Sequence, residues 1–536
     1  MRPVEILDTT LRDGAQAEGV SFSVNDKLRI VALLRSLGVA YVEAGNPGSN
    51  PKDRAFFEAV RAGADVGGTG SATRLCAFGS TRRKGVRPEE DAGLAALLEA
   101  GTDTVVVFGK VRPAEVRHIL GATPEENLSM LRDTVAYLRA QGRSVLYDAE
   151  HFFDGFRTEP AYALACLAAA AESGAETVVL CDTNGGSLPE DVSAAVEAAV
   201  AHLAPAHPGV RVGIHCHNDA GLAVANSLAA VRAGATHVQG TLIGIGERCG
   251  NANLATIIAN LQLKYGVPCI PAESLPRLTH AARSLAETAN LALPSNEPYV
   301  GVSAFSHKGG MHVDAVSKDP ATYEHVPPES VGNGRRFLVS EVAGRAAVLS
   351  LVRRLRPDAA KDAPEVSRLL ERLKALEHEG YSFEGAEASQ TLLVCKELGL
   401  YRPFFHLEKL RIIGEQPTVG TYPASAFIKI HVGDENEVTA GEGDGPVHAM
   451  DRGLRKALEV FYPEIGDVRL TDYKVRVLDS AATASKVRVL IESTDGDEVW
   501  TTVGVSTDIL DASWRALVDS LEYRLMKSRL KNPEGT

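Results

Sequence analysis

The chain contains no apolar run approaching the roughly 20 residues that cross a bilayer. Its opening stretch, MRPVEILDTT, lacks the apolar segment of a secretion signal. None of its seven cysteines forms a CxxC pair, and their number is odd. These absences argue against a disulfide framework or a thiolate zinc cage. They lead us to expect reduced, mostly buried thiols in a cytoplasmic protein. Basic charge is in deficit: 56 Lys and Arg stand against 69 Asp and Glu, a formal net charge of −13. Nucleic acid and anionic membrane are poor partners for such a chain. No glycine-rich dinucleotide loop follows the first strand-like segment, and neither a nucleophilic Ser or Cys motif nor a lysine-centred biotinyl motif is present.

The 536 residues are 45% hydrophobic and 23% charged, normal for a soluble protein with large cores, and long enough for about two to four domains. Over the first 265 or so residues, strand-like and helix-like segments alternate, from VEILDTTL and KLRIVALLRSLG to THVQGTLIG and NANLATIIANLQLKYG. Eight such units predict a TIM (β/α)8 barrel rather than a doubly wound sheet. Gly follows many of the helices, and Pro88, Pro124, Pro160 and Pro189 stand near helix starts.

In a TIM barrel the chemistry lies where the strands end. The seventh strand ends GIHCHND. Side chains alternate along a strand, so His215 and His217 leave it on one face. A His-x-His alone is common. Here the first strand ends LDTTLRDGAQ, offering Arg12 and Asp13, and the loop after the eighth strand, GIGERCGNAN, offers Asn251. One carboxylate, two imidazoles and an amide oxygen make a mixed N/O site for Mg²⁺, Mn²⁺, Co²⁺ or Zn²⁺ with positions left for substrate. Other strand ends offer Glu43 (YVEAG), Glu150 and His151 (YDAEHFFDG), and Asp182 and Thr183 (LCDTNGG).

Beyond the barrel, LALPSNEPYVG is turn-rich, residues 302–345 read as irregular, and 346–395 as helical. After about residue 400 the pattern alternates, and FIKIHV–ENEVTAG–MDRGLRKALEVF is echoed by VRVLIE–GDEVWTTVG–SWRALVDSLEYRL, with Glu437 and Glu498 expected in equivalent places. A strand–hairpin–helix unit used twice predicts a small α+β domain with pseudo-twofold symmetry. The expected division is a barrel over 1–270, helical linker subdomains over 271–395 that contribute to the active site, and a C-terminal domain over 396–536.

LDTTLRDGAQ, with Glu43 thirty-one positions after Arg12, and HCHNDAGLAVANSLAAVRAGA followed by GIGERCGNANL, resemble the DRE-TIM metallolyase family. Within it they are similar to the Claisen-condensing acyltransferases, the 2-isopropylmalate, homocitrate and citramalate synthases. GNPGSNPKD, LCDTNGG and YDAEHFFDG look most like the citramalate branch. The resemblance implies that acetyl-CoA is joined to a 2-oxo acid, pyruvate for that branch, and that the thioester is then hydrolysed. The divalent ion, Mg²⁺ or Mn²⁺ with Zn²⁺ or Co²⁺ as alternatives, would be held by Asp13, His215, His217 and Asn251. Arg12 would stabilise negative charge on the reacting oxygen, Glu43 would orient Arg12, and Thr183 would bind the substrate carboxylate. His312 and Tyr323 would reach an active site, usually the partner subunit's. Glu150 is the competing base or the partner of His312. Arg82, Arg83 and Lys84 are candidates for the CoA phosphates. The C-terminal repeat, with its Gly443-Asp444-Gly445-Pro446 turn, resembles a regulatory domain that senses an end-product amino acid, isoleucine for the citramalate branch. A homodimer is implied. One departure is Asn46, where many members of the branch are expected to carry Trp. Lyases and biotin-dependent carboxyltransferases share the RDG and HxH features, but a lyase has no need of the C-terminal repeat. A non-catalytic amino-acid sensor is the remaining alternative, and it leaves the intact chemical positions unexplained.

Overall fold

The computed structural model describes residues 2–67, 72–308, 310–337, 345–360, 362–383, 385–415, 423–478, 485–496 and 498–531. They fall into two compact units. The first runs to Phe305 and includes Val326–Gly334. The second comprises Ser306–His325 and the chain from Arg335 onwards.

Eight parallel strands close the barrel of the first unit in sequence order: β1 (Glu5–Asp8), β2 (Tyr41–Glu43), β3 (Arg74–Ser80), β4 (Thr104–Lys110), β5 (Ser144–Glu150), β6 (Thr177–Asp182), β7 (Arg211–Cys216) and β8 (His237–Gly240). Closure is direct, with Asp8 opposite Gly240 in the β1–β8 pair. Val, Ile, Leu and Ala dominate the buried strand and helix faces, as a parallel sheet covered by helices demands. Local signals set the helix ends. Ser23 and Asp26 form a reciprocal capping box at the start of Val24–Leu37, and Gly38 ends that helix at φ 82°, its N–H bonding back to Leu34 and Arg35. Pro124, Pro160 and Pro189 each begin a helix. Pro88 does not. It opens a single 3-10 turn, Pro88–Glu90, and the helix starts at Ala92, capped by the Asp91 carboxylate.

In the second unit, the segment expected to be irregular carries a helix at Gly310–Lys318 and two short paired strands, β9 (Ser306–His307) and β10 (Arg336–Phe337). Their pairing, and the helix's apolar contacts at Val313 and Val316, are tertiary and leave little local pattern. Helices Arg345–Leu355, Pro364–Glu379 and Glu387–Glu397 follow.

The C-terminal repeat is two three-stranded antiparallel sheets. The first is β11 (His406–Gly414), β12 (Ala424–Val432) and β13 (Glu435–Gly443), and the second is β14 (Arg469–Val477), β15 (Val487–Thr494) and β16 (Val499–Ser506). Each is followed by a helix, Pro446–Leu458 or Ile509–Lys531. The copies are in strict register. Thr439 Oγ1 donates to Gly453 O at 2.8 Å and Thr502 Oγ1 to Ala516 O at 2.7 Å, a spacing of 63 residues (502 − 439). Even the bulge repeats, at Leu407/Lys409 and Leu470/Asp472. A Cβ on Gly441 would come within 2.4 Å of Ala449 O, and one on Gly504 within 2.0 Å of Ala512 O. The same close strand–helix approach thus requires glycine twice. This register corrects the equivalence of Glu437 and Glu498: at a spacing of 63, Glu498 corresponds to Glu435, and Glu437 to the buried Trp500. The repeated Glu-x-Glu-Val and Asp-Glu-Val letters are offset by two residues, and side-chain identity misled where backbone pairing does not. Ala426 and Met450 of the first copy share a core with Ile491 and Ala516 of the second.

Candidate metal centre and active site

β1 and β7 are both in the closed barrel, so their C-terminal ends share one mouth. Asp13 Oδ2 lies 3.4 Å from His215 Nε2 and 3.8 Å from His217 Nε2. The three side chains offer ligand atoms within 4.8 Å of one another, and all are buried. Asn251 joins them through the backbone, which bridges His217 and Asn251. That bridge depends on a tight loop. Asn251 N–H donates to Gly244 O at 3.0 Å and Asn218 N–H to Gly250 O at 2.9 Å. Gly250 sits at φ +88°, where a Cβ would lie 2.1 Å from Gly244 O. No other residue type fits there.

The donor set suits a divalent cation. Asp13 Oδ1 and Asn251 Oδ1 are buried acceptors without a hydrogen-bond partner. The Asn251 amide nitrogen donates to Ile245 O at 3.3 Å, which leaves the oxygen end over. Each unmade buried bond costs about 1–3 kcal/mol, and a cation between them would offset both. Two of the three titratable donors hold the protonation state a ligand needs; at His215 burial is outweighed by Asp13, which raises the imidazole pKa, so a cation would displace its proton. Burial opposes ionisation of Asp13, but Arg12 and His215 outweigh it and hold the carboxyl well below its usual range. Burial, and next to it His215, push His217 down to about 4, so this imidazole is neutral as a ligand must be.

Arg12 is fixed from three sides. Its Nε donates to Glu43 Oε2 at 2.6 Å, its Nη1 to Asp13 Oδ2 at 3.1 Å, and its guanidinium lies 3.8 Å over the Phe78 ring. Glu43 also accepts from Thr9 Oγ1 at 2.6 Å. Behind this turn, Lys27 is buried and donates to Leu11 O (3.0 Å), Ala44 O (2.8 Å) and Asp53 Oδ1 (2.5 Å). Thr183 is half-buried; its hydroxyl accepts from the His151 N–H at 2.8 Å and its carbonyl from Arg248 Nη2 at 2.9 Å. His151 and Arg248 both hold positive φ, 58° and 57°. Strained non-glycine residues of this kind cluster at functional sites. Glu150 is paired with Lys110 Nζ at 2.8 Å. His312 and Tyr323, in the second unit, are both exposed and stack on each other with ring centroids 4.1 Å apart.

Arg82, Arg83 and Lys84 are each engaged by a carboxylate, of Asp133, Asp91 and Glu126 respectively. Asn46 Oδ1 accepts from the Gly48 N–H at 3.1 Å and so ties its own turn. Six of the seven cysteines are buried, as expected of most of them, and Cys249 is exposed. Sequence reasoning passed over Phe78, Lys110, Arg248, Asp148 and Gln239. Asp148 had a signal, since it stands two residues before Glu150 on the same strand face.

The HMGL-like family pattern matches residues 3–281, a homocitrate synthase post-HMGL domain pattern matches 299–380, and the LeuA allosteric (dimerisation) domain pattern matches 384–525. The chain is 48% identical over 526 residues to an (R)-citramalate synthase of Aquifex aeolicus, covering 98% of each. It is 48% identical over 540 residues to one of Synechocystis, covering 99% of this chain and 98% of the relative. A probable 2-isopropylmalate synthase of Methanopyrus kandleri is 33% identical over 530 residues, covering 98% of this chain and 99% of the relative. The chain belongs to the DRE-TIM metallolyases, the HMGL-like barrel family. Within that family it is an enzyme of the acyltransferase type.

Proposed function

We propose that this enzyme is an (R)-citramalate synthase, which condenses acetyl-CoA with pyruvate and hydrolyses the thioester to citramalate and CoA, as a step toward isoleucine. The observation that carries the reading is the pair of unpartnered buried acceptors, Asp13 Oδ1 and Asn251 Oδ1, beside two imidazoles and a triply fixed arginine. The names of the relatives at 44–48% identity favour pyruvate over larger 2-oxo acids.

In this reading Asp13, His215, His217 and Asn251 hold a divalent ion. Held there, the ion would supply Lewis-acid polarisation of the 2-oxo group. Arg12 supplies fixed positive charge where negative charge grows on oxygen, and Glu43 and Phe78 keep it from swinging away. Thr183 retains its own hydroxyl proton to donate to the substrate carboxylate, since its oxygen accepts from the His151 N–H. His312, with Tyr323 stacked against it, is assigned the removal of the acetyl methyl proton, across subunits of a homodimer, and Glu150 assists. The division of labour assigned to the chain is catalysis by 1–270, completion of the site by 271–395, and dimerisation with isoleucine feedback by 396–536. The cytoplasm is its assigned location.

The test is CoA-thiol release from acetyl-CoA with Mg²⁺ or Mn²⁺, comparing pyruvate, 2-oxobutyrate, 2-oxoisovalerate and 2-oxoglutarate. Preference for pyruvate is expected. Preference for 2-oxoisovalerate or 2-oxoglutarate moves the protein to an isopropylmalate or homocitrate synthase, and no metal-dependent release at all overturns the synthase reading.

A further inference from the structure

Behind the imidazole pair, a line of polar groups crosses the barrel interior that none of the roles above uses. His215 Nδ1 lies 2.8 Å from Gln239 Oε1, and Gln239 Nε2 donates to Asp148 Oδ1 at 2.9 Å. The three side chains come from β7, β8 and β5, and all are buried, Gln239 completely. In a packed barrel interior, polar groups are tolerated only when satisfied.

The line sets its own polarity. The Gln239 amide turns its nitrogen to Asp148 Oδ1. Its carbonyl oxygen is then left facing His215 Nδ1, and a carbonyl only accepts. Nδ1 must therefore carry the imidazole proton. Nε2, the nitrogen 3.4 Å from Asp13 Oδ2, is the one turned to the metal centre. His217 is built differently: its Nδ1 is buried without a partner. Of the two imidazoles, His215 is the one whose tautomer and ring angle the fold specifies from behind.

We propose that Gln239 and Asp148 are positioning residues that hold His215 in its Nδ1–H tautomer, with Nε2 presented to a divalent cation shared with Asp13. The inference rests on the metal-centre reading above. The competing account is that the two side chains merely satisfy each other inside the barrel.

The experiment is Mn²⁺ titration of the full-length protein by calorimetry, with circular dichroism to confirm folding. Gln239→Met keeps the volume and removes the acceptor, and Mn²⁺ affinity is expected to fall about 10- to 100-fold. The double variant Gln239→Glu with Asp148→Asn reverses the pair. The introduced amide at 148 donates to the introduced carboxylate at 239, which still accepts from Nδ1, and affinity is expected to stay within about threefold of wild type. Histidine ¹⁵N NMR of the Zn²⁺-loaded wild-type protein should show Nδ1 of His215 protonated and Nε2 bound to the ion, a readout that a purely structural role does not require. A folded Gln239→Met protein that binds Mn²⁺ like wild type overturns the relay and leaves the metal centre standing. A double variant as weak as Gln239→Met also overturns it. If Gln239→Met does not fold, the resonances of the Zn²⁺-loaded wild type decide, and Nδ1 rather than Nε2 on the ion overturns the proposal. Failure of the wild-type protein to bind Mn²⁺ removes the metal centre, and the relay with it.

Discussion

Arg12 Nε donates to Glu43 Oε2 at 2.6 Å, and Glu43 has no exposed surface at all. A buried carboxylate gives the guanidinium one permitted direction, and lysine cannot reproduce that fork. Arg12→Lys should lower kcat by about 10²- to 10³-fold, the usual cost of one preorganised donor. Mn²⁺ affinity should change little, because Asp13, His215, His217 and Asn251 are untouched. Steady-state kinetics beside metal titration checks both. Unchanged turnover would confine Arg12 to a structural ion pair.

Metal binding should stabilise the barrel, because the four donors meet only in the folded chain. A ligand at about 100 times its Kd adds roughly 2.7 kcal/mol. Thermal melts with and without Mn²⁺ should therefore separate for wild type and coincide for Asp13→Asn. A shift that survives in Asp13→Asn would place the binding elsewhere.

Lys27 is a buried cation serving two carbonyls and the Asp53 carboxylate. Burial draws its pKa down, against the pull of Asp53. Lys27→Met leaves Asp53 charged and unpaired, and should destabilise the protein by about 3–5 kcal/mol. The turn at Leu11 that carries Arg12 should loosen with it, so activity should fall below the melting temperature as well. Denaturant titration and assay of the folded fraction measure the two effects.

His312→Ala should abolish turnover and leave Mn²⁺ binding intact. The stacked pair lies apart in sequence from every ligand. Substantial turnover in the variant would take His312 out of the chemistry and transfer the base to Glu150.

Glu522 gives the C-terminal domain a pH dependence. Burial raises its carboxyl to about 7, against the Tyr401 hydroxyl, which donates to it at 2.8 Å. Lys396 and Asp519 act on it with opposite signs. A folded-state pKa above the ordinary 4.5 means the folded protein holds the proton more tightly. Stability from this group is therefore full below about pH 4.5, declines as pH rises to about 7, and is flat beyond. The total is on the order of 3 kcal/mol. The two tryptophans, Trp500 and Trp514, both lie in this domain, so their fluorescence follows its unfolding alone. Glu522→Gln should reduce the decline to what the neighbouring Asp519, also raised by burial, contributes. An identical pH profile in the variant would show that the carboxyl is not held neutral.

The barrel, its strand ends and the residue types of the metal centre were legible in the sequence because their signals are local. Alternation places His215 and His217 on one face whatever lies around them, and eight strand–helix units close into a barrel with a single C-terminal mouth. The Gly-rich loop before Asn251 is a local signal of the same kind. What the sequence could not settle is which atom of each side chain is left unpaired. That Asn251 keeps its oxygen free depends on Ile245, that His215 must carry its proton on Nδ1 depends on Gln239 and Asp148 from two other strands, and that Glu150 meets Lys110 depends on the β4–β5 register. The Glu435–Glu498 correspondence likewise came from strand pairing and not from resemblance of letters. Periodicity is written in neighbouring residues, whereas hydrogen-bond satisfaction is decided between strands far apart in the chain, and only the closed barrel brings those strands together.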